Sequence, residues 1–116
     1  MTRELTPQER KVLLYLAENS GLADANVLKA QVDKLVVSGG PLTMLELSMK
    51  GEAAKIKAPE DPLPFRAIVN DDKGEPIGEL MLWTTDGYLS HLEYAWYTDE
   101  PPAELPDPSQ IEITKT

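Results

Sequence analysis

His91 and Glu93 are the two residues whose types and spacing come closest to catalytic chemistry. His91 is the single histidine of the chain, and residues two apart in a strand point to the same side of it. An imidazole beside a carboxylate can act as an oriented general base. However, no activated nucleophile accompanies the pair, and a lone histidine does not form a metal site. We therefore predict that the protein is not an enzyme, with catalysis or small-ligand binding by His91, Glu93 and Tyr97 as the alternative.

Two groups of carboxylates could in principle bind a hard cation. They are Asp71, Asp72 and Glu75 in one predicted turn, and Asp99 with Glu100 beside prolines. A calcium loop needs oxygen ligands at defined positions and a closing glutamate, and residues 70–75 are too few for that pattern. No glycine-rich phosphate-binding pattern is present, and the absence of cysteine removes thiolate sites. We predict neither a metal nor a cofactor.

The net charge of −9 is concentrated in the second half of the chain. Residues 1–59 contain eight Lys or Arg and seven Asp or Glu, whereas residues 60–116 contain three and thirteen, so the halves have charges of +1 and −10. A surface of that sign repels phosphate backbones and anionic lipids. We therefore exclude nucleic acid and membranes as partners. The acidic excess either keeps the protein soluble or attracts a basic partner.

Two helices are predicted near the amino terminus. Thr6-Pro7-Gln8-Glu9 is typical of a capping box, with proline at the first helical position. The first helix should run from about 7 to 19 and end where Gly21 can adopt a left-handed conformation. A short second helix is predicted from about 22 to 31, with Asp24 favouring its amino end.

Alternating apolar residues predict an antiparallel sheet of about five strands. The segments are 35–37 and 42–49 as one hairpin, then 63–69, 77–83 and 88–97 as a meander, with a mobile loop at 50–62. Asp86-Gly87 is a strong two-residue turn signal between the last two strands. We expect the two helices to pack on one face of this sheet, which gives an α+β domain.

The last strand contains four of the seven aromatic residues of the chain. Period two places Tyr88, Leu92, Tyr94 and Trp96 on one side, which we predict to be the core side, and Leu89, His91, Glu93, Ala95 and Tyr97 on the other. The aromatics are expected to make core contacts or to stack with the prolines that follow. An exposed aromatic binding patch is the alternative.

Residues 99–108 form a proline-rich tail. Its four prolines lack amide donors, so it should be neither a helix nor a central strand and should run extended over the surface.

At 116 residues the chain is the size of a single domain, 1–116. It contains no apolar run of about 20 residues, and its first residues lack the apolar stretch of a signal peptide. We therefore expect a cytoplasmic protein.

The carboxy-terminal third resembles a group of small bacterial proteins of unassigned function. The likeness rests on residues 78–83 (GELMLW), Asp86-Gly87, residues 92–102 (LEYAWYTDEPP) and residues 105–108 (LPDP). The resemblance implies a one-domain cytoplasmic protein and an immunity function, directed at secreted toxins, for some members. It transfers no catalytic residues. Some relatives have cysteines where this chain has Ser38-Gly39-Gly40-Pro41, so a metal or redox role of theirs has no support here.

The leading functional hypothesis is a small acidic binding module, in its most specific form an immunity protein that binds a basic toxin. A toxin that acts on nucleic acid must itself be basic, and a strongly acidic surface would associate with it rapidly. The predicted partner-binding residues are Asp86, Glu93, Tyr97, Asp99 and Glu100. A self-associating structural protein, pairing through a strand edge, is a further alternative, so either a monomer or a homodimer is expected.

Overall fold

The computed structural model describes residues 1–115. Its elements are β1 (Arg3–Glu4), α1 (Pro7–Asn19), α2 (Ala25–Val32), β2 (Leu35–Gly39), β3 (Met44–Met49), β4 (Phe65–Asn70), β5 (Pro76–Thr85), β6 (Tyr88–Trp96), a 3-10 turn (Pro108–Gln110) and β7 (Ile111–Lys115). The strands form one antiparallel sheet in the order β1-β2-β3-β6-β5-β4-β7. The predicted α+β class is confirmed, but the sheet has seven strands and not five.

The amino end of α1 is fixed by the predicted capping box. Thr6 accepts from the Glu9 N–H at 3.1 Å, and the Glu9 carboxylate accepts from the Thr6 N–H at 2.8 Å. Arg3 donates to both oxygens of Glu9, at 2.9 and 2.8 Å. Burial alone would raise the pKa of Glu9, but the hydrogen bonds from Arg3 and Thr6 outweigh burial and hold the pKa below its usual value. The same contact attaches β1 to the first helix.

Both helices pack on one face of the sheet. Val12, Leu13 and Leu16 of α1, and Leu28 and Val32 of α2, belong to the same buried cluster as alternate residues of the strands. The strand residues of that cluster are Leu35, Val37, Leu45, Leu47, Phe65, Ala67, Val69, Leu80, Leu82, Leu89, Leu92, Tyr94 and Ile111. The molecule measures 41 × 33 × 21 Å. Its shortest dimension corresponds to one helix layer packed on one sheet.

The face assignment of β6 needs one correction. Leu92 and Tyr94 are buried as predicted, but Leu89 is also buried, although its position in the alternation placed it on the opposite side. The cause is a bulge: Trp83 pairs with His91 and Thr84 pairs with Leu89, so one extra residue, Ser90, interrupts the alternation.

The aromatic end of β6 is exposed. Trp96 and Tyr97 keep 41% and 54% of their surfaces accessible. The buried contacts of the proline-rich tail are made elsewhere, since Leu105 lies in the core cluster and Gln8 of α1 donates to the Pro106 carbonyl at 2.7 Å. Trp96 is therefore a surface residue rather than the core residue we expected.

The segment 50–62 contains no helix or strand, in agreement with the predicted loop. The loop is nevertheless attached to the core, because Ile56 is buried and its N–H donates to the Gly87 carbonyl at 2.9 Å. The two-residue turn at Asp86-Gly87 is confirmed, with φ of 54° and 83°. Positive values at both positions are those of a type I′ hairpin.

Within residues 1–115, neither helix combines the length and apolar character required to cross a bilayer.

Candidate functional site

The sheet face opposite the helices is the candidate site, and we call it the open face. It consists of the alternate side chains of β3 to β7 that point away from the core: Met44, Glu46, Ser48, Arg66, Ile68, Asn70, Glu79, Met81, Trp83, His91, Glu93, Ala95, Glu112 and Thr114. All of them are half-buried or exposed. A sheet that is covered by helices on one face only normally has polar side chains on its other face, so the apolar members of this set are unusual.

A depression of about 370 Å³ lies in this face toward the Asp86 turn. Its lining residues are Met44, Trp83, Thr84, Thr85, Ser90, His91 and Glu93. They come from three adjacent strands, since Met44 pairs with Glu93 across β3 and β6, and His91 pairs with Trp83 across β6 and β5. The extra residue in β6 at Ser90 therefore lies at the wall of the depression, a common location for a bulge near a site.

Glu93 is held by an indole rather than by the histidine. The Trp83 Nε1–H donates to Glu93 Oε1 at 3.0 Å. The ring of His91 has its contact with Ser90, at 3.3 Å between Nδ1 and Oγ. The structure thus places His91 and Glu93 in one depression, but it does not connect them as a base and its orienting carboxylate.

A second polar group on the open face centres on Glu79. Arg66 Nε donates to Glu79 Oε2 at 3.4 Å, and the Tyr97 hydroxyl donates to Oε1 at 3.4 Å. The hydrogen bond to Glu79 raises the pKa of the Arg66 guanidinium. This group joins the predicted residue Tyr97 to the open face.

The five residues predicted from sequence do not form one cluster. Asp86 lies in the turn before β6, whereas Tyr97, Asp99 and Glu100 follow its other end. The nine residues of β6 span about 30 Å at 3.3 Å per residue. Only Glu93 lies in the middle of the open face, so the binding surface, if it is continuous, must extend along the whole strand.

Several residues of the open face were not singled out from sequence. They are Met44, Glu46, Glu79, Met81, Trp83 and Glu112. The alternation in the predicted strands 42–49 and 77–83 was the signal that could have found most of them, because it separates a Leu-rich face from a mixed one. Their proximity depends on β3 pairing with β6, which alternation alone does not specify.

The two layers of the molecule differ in charge. Residues 7–34, which include both helices, contain four basic residues (Arg10, Lys11, Lys29, Lys34) and four acidic ones (Glu9, Glu18, Asp24, Asp33). The open face through Thr114 contains four acidic residues (Glu46, Glu79, Glu93, Glu112) and one basic residue (Arg66). Of the net charge of −9, the open face therefore holds −3, residues 7–34 hold none, and the residues outside both sets hold −6.

A larger depression, of about 460 Å³, lies beside α1. Lys11, Glu18 and Asp107 line it together with apolar residues, so its charges are mixed and select no class of ligand. Among residues 1–115, no group of three or more histidine and carboxylate side chains is placed to hold a metal ion.

The fold and this site define a two-layer α+β protein with an acidic, partly aromatic sheet face that its own helices leave open. Comparisons with protein-family models, with curated proteins and with solved structures gave no significant match. The functional argument accordingly depends on the residues of the open face.

Proposed function

We propose that this protein is a non-catalytic binding module that holds a basic protein partner against the open face of its sheet. The supporting observation is the combination of four glutamates and one arginine with the apolar side chains of Met44, Met81 and Trp83. Carboxylates of one sign attract and orient a cationic surface, whereas apolar and aromatic side chains provide the area that is buried on binding. A sheet face that only meets water normally carries polar side chains, so the two methionines and the indole are the part of this combination that favours a partner.

The most specific form of this proposal is an immunity protein for a secreted toxin. A toxin that cleaves or modifies nucleic acid binds phosphates through lysines and arginines. An acidic inhibitor that covers those residues blocks access to the substrate and associates quickly through long-range attraction. The resemblance of the carboxy-terminal third to small bacterial proteins supports the same form.

A small-ligand binder at the depression is the second candidate, because His91 and Glu93 lie in it together with the hydroxyl groups of Thr84 and Ser90. This candidate needs only the lining residues. Charge reversal at Glu46 and Glu112, outside the lining, would leave it intact. The same variants would disrupt a protein interface across the whole face, so they separate the two candidates.

The test is affinity capture from an extract of the native host, followed by measurement of Kd for the purified partner. The open-face variant is Glu46→Lys with Glu112→Lys, two exposed positions on β3 and β7. Its matched control is Glu18→Lys with Glu104→Lys, which changes the net charge equally on the helical side. We expect the open-face variant to weaken binding by at least about tenfold at low salt and the control to change it by less than about threefold.

Two results would contradict the proposal. One is equal loss of binding in the open-face and control variants, which would indicate net charge alone. The other is retention of the partner by the open-face variant.

A third variant, Asp99→Lys with Glu100→Lys, tests the residues predicted from sequence. Undiminished capture would remove the tail from the interface and leave the sheet face in it. Sedimentation of the unbound protein at several concentrations tests the alternative of self-association.

A further inference from the structure

The depression at Trp83 has the composition of a site for a flat organic cation. It offers one carboxylate, one indole, the imidazole of His91, the thioether of Met44 and small hydroxyl groups, and its lining contains no lysine or arginine among the described residues. Glu46 pairs with His91 across β3 and β6, but its carboxylate lies on the β2 side, 3.6 Å from the position that a Cβ of Gly39 would take. Glu93 is therefore the carboxylate of the depression, and it attracts a cation and repels an anion.

The hydrogen bond between Trp83 and Glu93 leaves one carboxylate oxygen available. Glu93 Oε1 accepts from the indole at 3.0 Å, and Oε2 has no donor among residues 1–114. The hydrogen bond fixes the indole and the carboxylate relative to each other. The site is therefore arranged before any ligand binds, which lowers the entropic cost of binding.

A guanidinium fits this arrangement better than an ammonium. It is planar and weakly hydrated, so it can stack on an aromatic ring while its N–H groups donate to a carboxylate. The methylene groups of an arginine side chain can pack along Met44, which is 36% exposed. An ammonium is a compact, strongly hydrated charge and gains less from the ring.

We propose that the Trp83–Glu93 depression binds the side chain of a single arginine, which the basic partner inserts as the central contact of the interface. This inference rests on the proposed function, and it adds the residue of the partner that is recognised. Glu93 pairs with the guanidinium, Trp83 stacks beside it, and Met44 packs on the aliphatic part of the side chain. Arginine is among the residues most enriched at the energetic centres of interfaces.

The experiment uses the whole protein and the tripeptide acetyl-Gly-Arg-Gly-amide as the probe. The Trp83 indole N–H resonance is followed by NMR in a Trp96→Phe background, which is suitable because Trp96 is at the surface. We expect saturable binding with a Kd on the order of millimolar, since one side chain provides few contacts. The lysine tripeptide should bind at least about threefold more weakly, and the citrulline tripeptide, which is isosteric and uncharged, at least about tenfold more weakly.

The decisive variant is Glu93→Gln, whose amide oxygen can still accept from the Trp83 N–H, so the fold is retained. It should weaken binding of the arginine peptide at least about tenfold. Glu112→Gln, an equal change of charge on the same face, should change the Kd by less than about twofold. Equal binding of arginine and citrulline peptides, or equal effects of the two variants, would overturn the proposal. If the unmodified protein captures a basic partner but does not bind the arginine peptide, this inference alone is rejected. If it does neither, the proposed function is rejected as well.

Discussion

Gln31 shows how a single polar residue positions the candidate site. Its side chain has no exposed surface, yet every hydrogen-bonding group of its amide is used. Nε2 donates to the carbonyls of Ala54 and Gly87 at 2.8 and 2.9 Å, and Oε1 accepts from the Leu89 N–H at 2.9 Å. Helix α2 is thereby connected to the loop at 50–62 and to the start of β6, next to the strand segment that lines the depression.

The first prediction concerns this amide. Gln31→Met keeps the length and approximate volume of the side chain but leaves the buried Leu89 N–H without its partner, whereas the Gly87 carbonyl keeps its hydrogen bond from the Ile56 N–H. An unpartnered buried group costs about 1–3 kcal/mol, so we expect the free energy of unfolding to fall by roughly 1–3 kcal/mol. Urea denaturation monitored by circular dichroism measures it. Lys29→Met, on the exposed side of the same helix, should change it by less than about 0.5 kcal/mol.

At the scale of elements, the turn between β5 and β6 depends on Gly87. Its φ is 83°, and a Cβ at this position would lie 2.8 Å from the Ile56 carbonyl oxygen and 2.9 Å from Lys55 Cβ. The turn and the loop therefore approach each other too closely for any side chain. Because Thr84, Thr85 and Ser90 flank this turn and line the depression, a change in the turn would reach the site.

The second prediction compares two glycines with the same backbone requirement. Gly74, in the turn between β4 and β5, has a φ of 79° and open space where a Cβ would be. Alanine there should cost about 1 kcal/mol, the price of a left-handed conformation. Alanine at Gly87 needs the same left-handed conformation and, in addition, its Cβ would clash with the backbone of Ile56. We therefore expect a further loss of at least about 1 kcal/mol in the free energy of unfolding. Equal losses in thermal or urea unfolding would show that the close approach at Gly87 relaxes freely.

The two missed strands show what local patterns cannot specify. β1 has two residues, too few for alternation, and it exists because Arg3 and Glu4 pair with Val37 and Val36 after the chain has folded. β7 had a local signal, the alternation of Ile111-Glu112-Ile113-Thr114. The predicted sheet did not include it, because the position of a strand after a proline-rich segment depends on the long-range pairing of β7 with β4.

The candidate site was predictable only in part, for a related reason. His91 and Glu93 could be placed on one strand face from their spacing, and the structure puts both in the depression. Trp83 and Met44 join them because β6 lies between β3 and β5, an order that requires long-range pairing. Leu89 was assigned to the wrong face because it lies on the amino-terminal side of the one-residue bulge at Ser90, where the alternation is inverted relative to Leu92 and Tyr94.

At the scale of the whole molecule, the functional hypothesis depends on how charge is divided between the layers. The helical layer is balanced, whereas the open face has an excess of glutamates around half-buried apolar side chains. Solubility alone would be served by charges on either layer. Of the two layers, only the open face has an excess of negative charge, and this favours a partner on that face, since steering requires charge near the surface that binds.

The third prediction is that a bound basic partner covers the open face. The methionines report this directly: Met44 and Met81 lie on the open face, whereas Met1 is fully exposed at the amino terminus. Peroxide converts accessible methionine to its sulfoxide, so we expect oxidation of Met44 and Met81 to slow at least about threefold in the complex with the captured partner, because an interface of standard size excludes bulk water from its centre. Mass spectrometry of the peptides measures each rate, with Met1 as the internal control. Unchanged rates at Met44 and Met81 in a complex that is otherwise saturated would place the partner on another surface, and the charge of the open face would then require a different explanation.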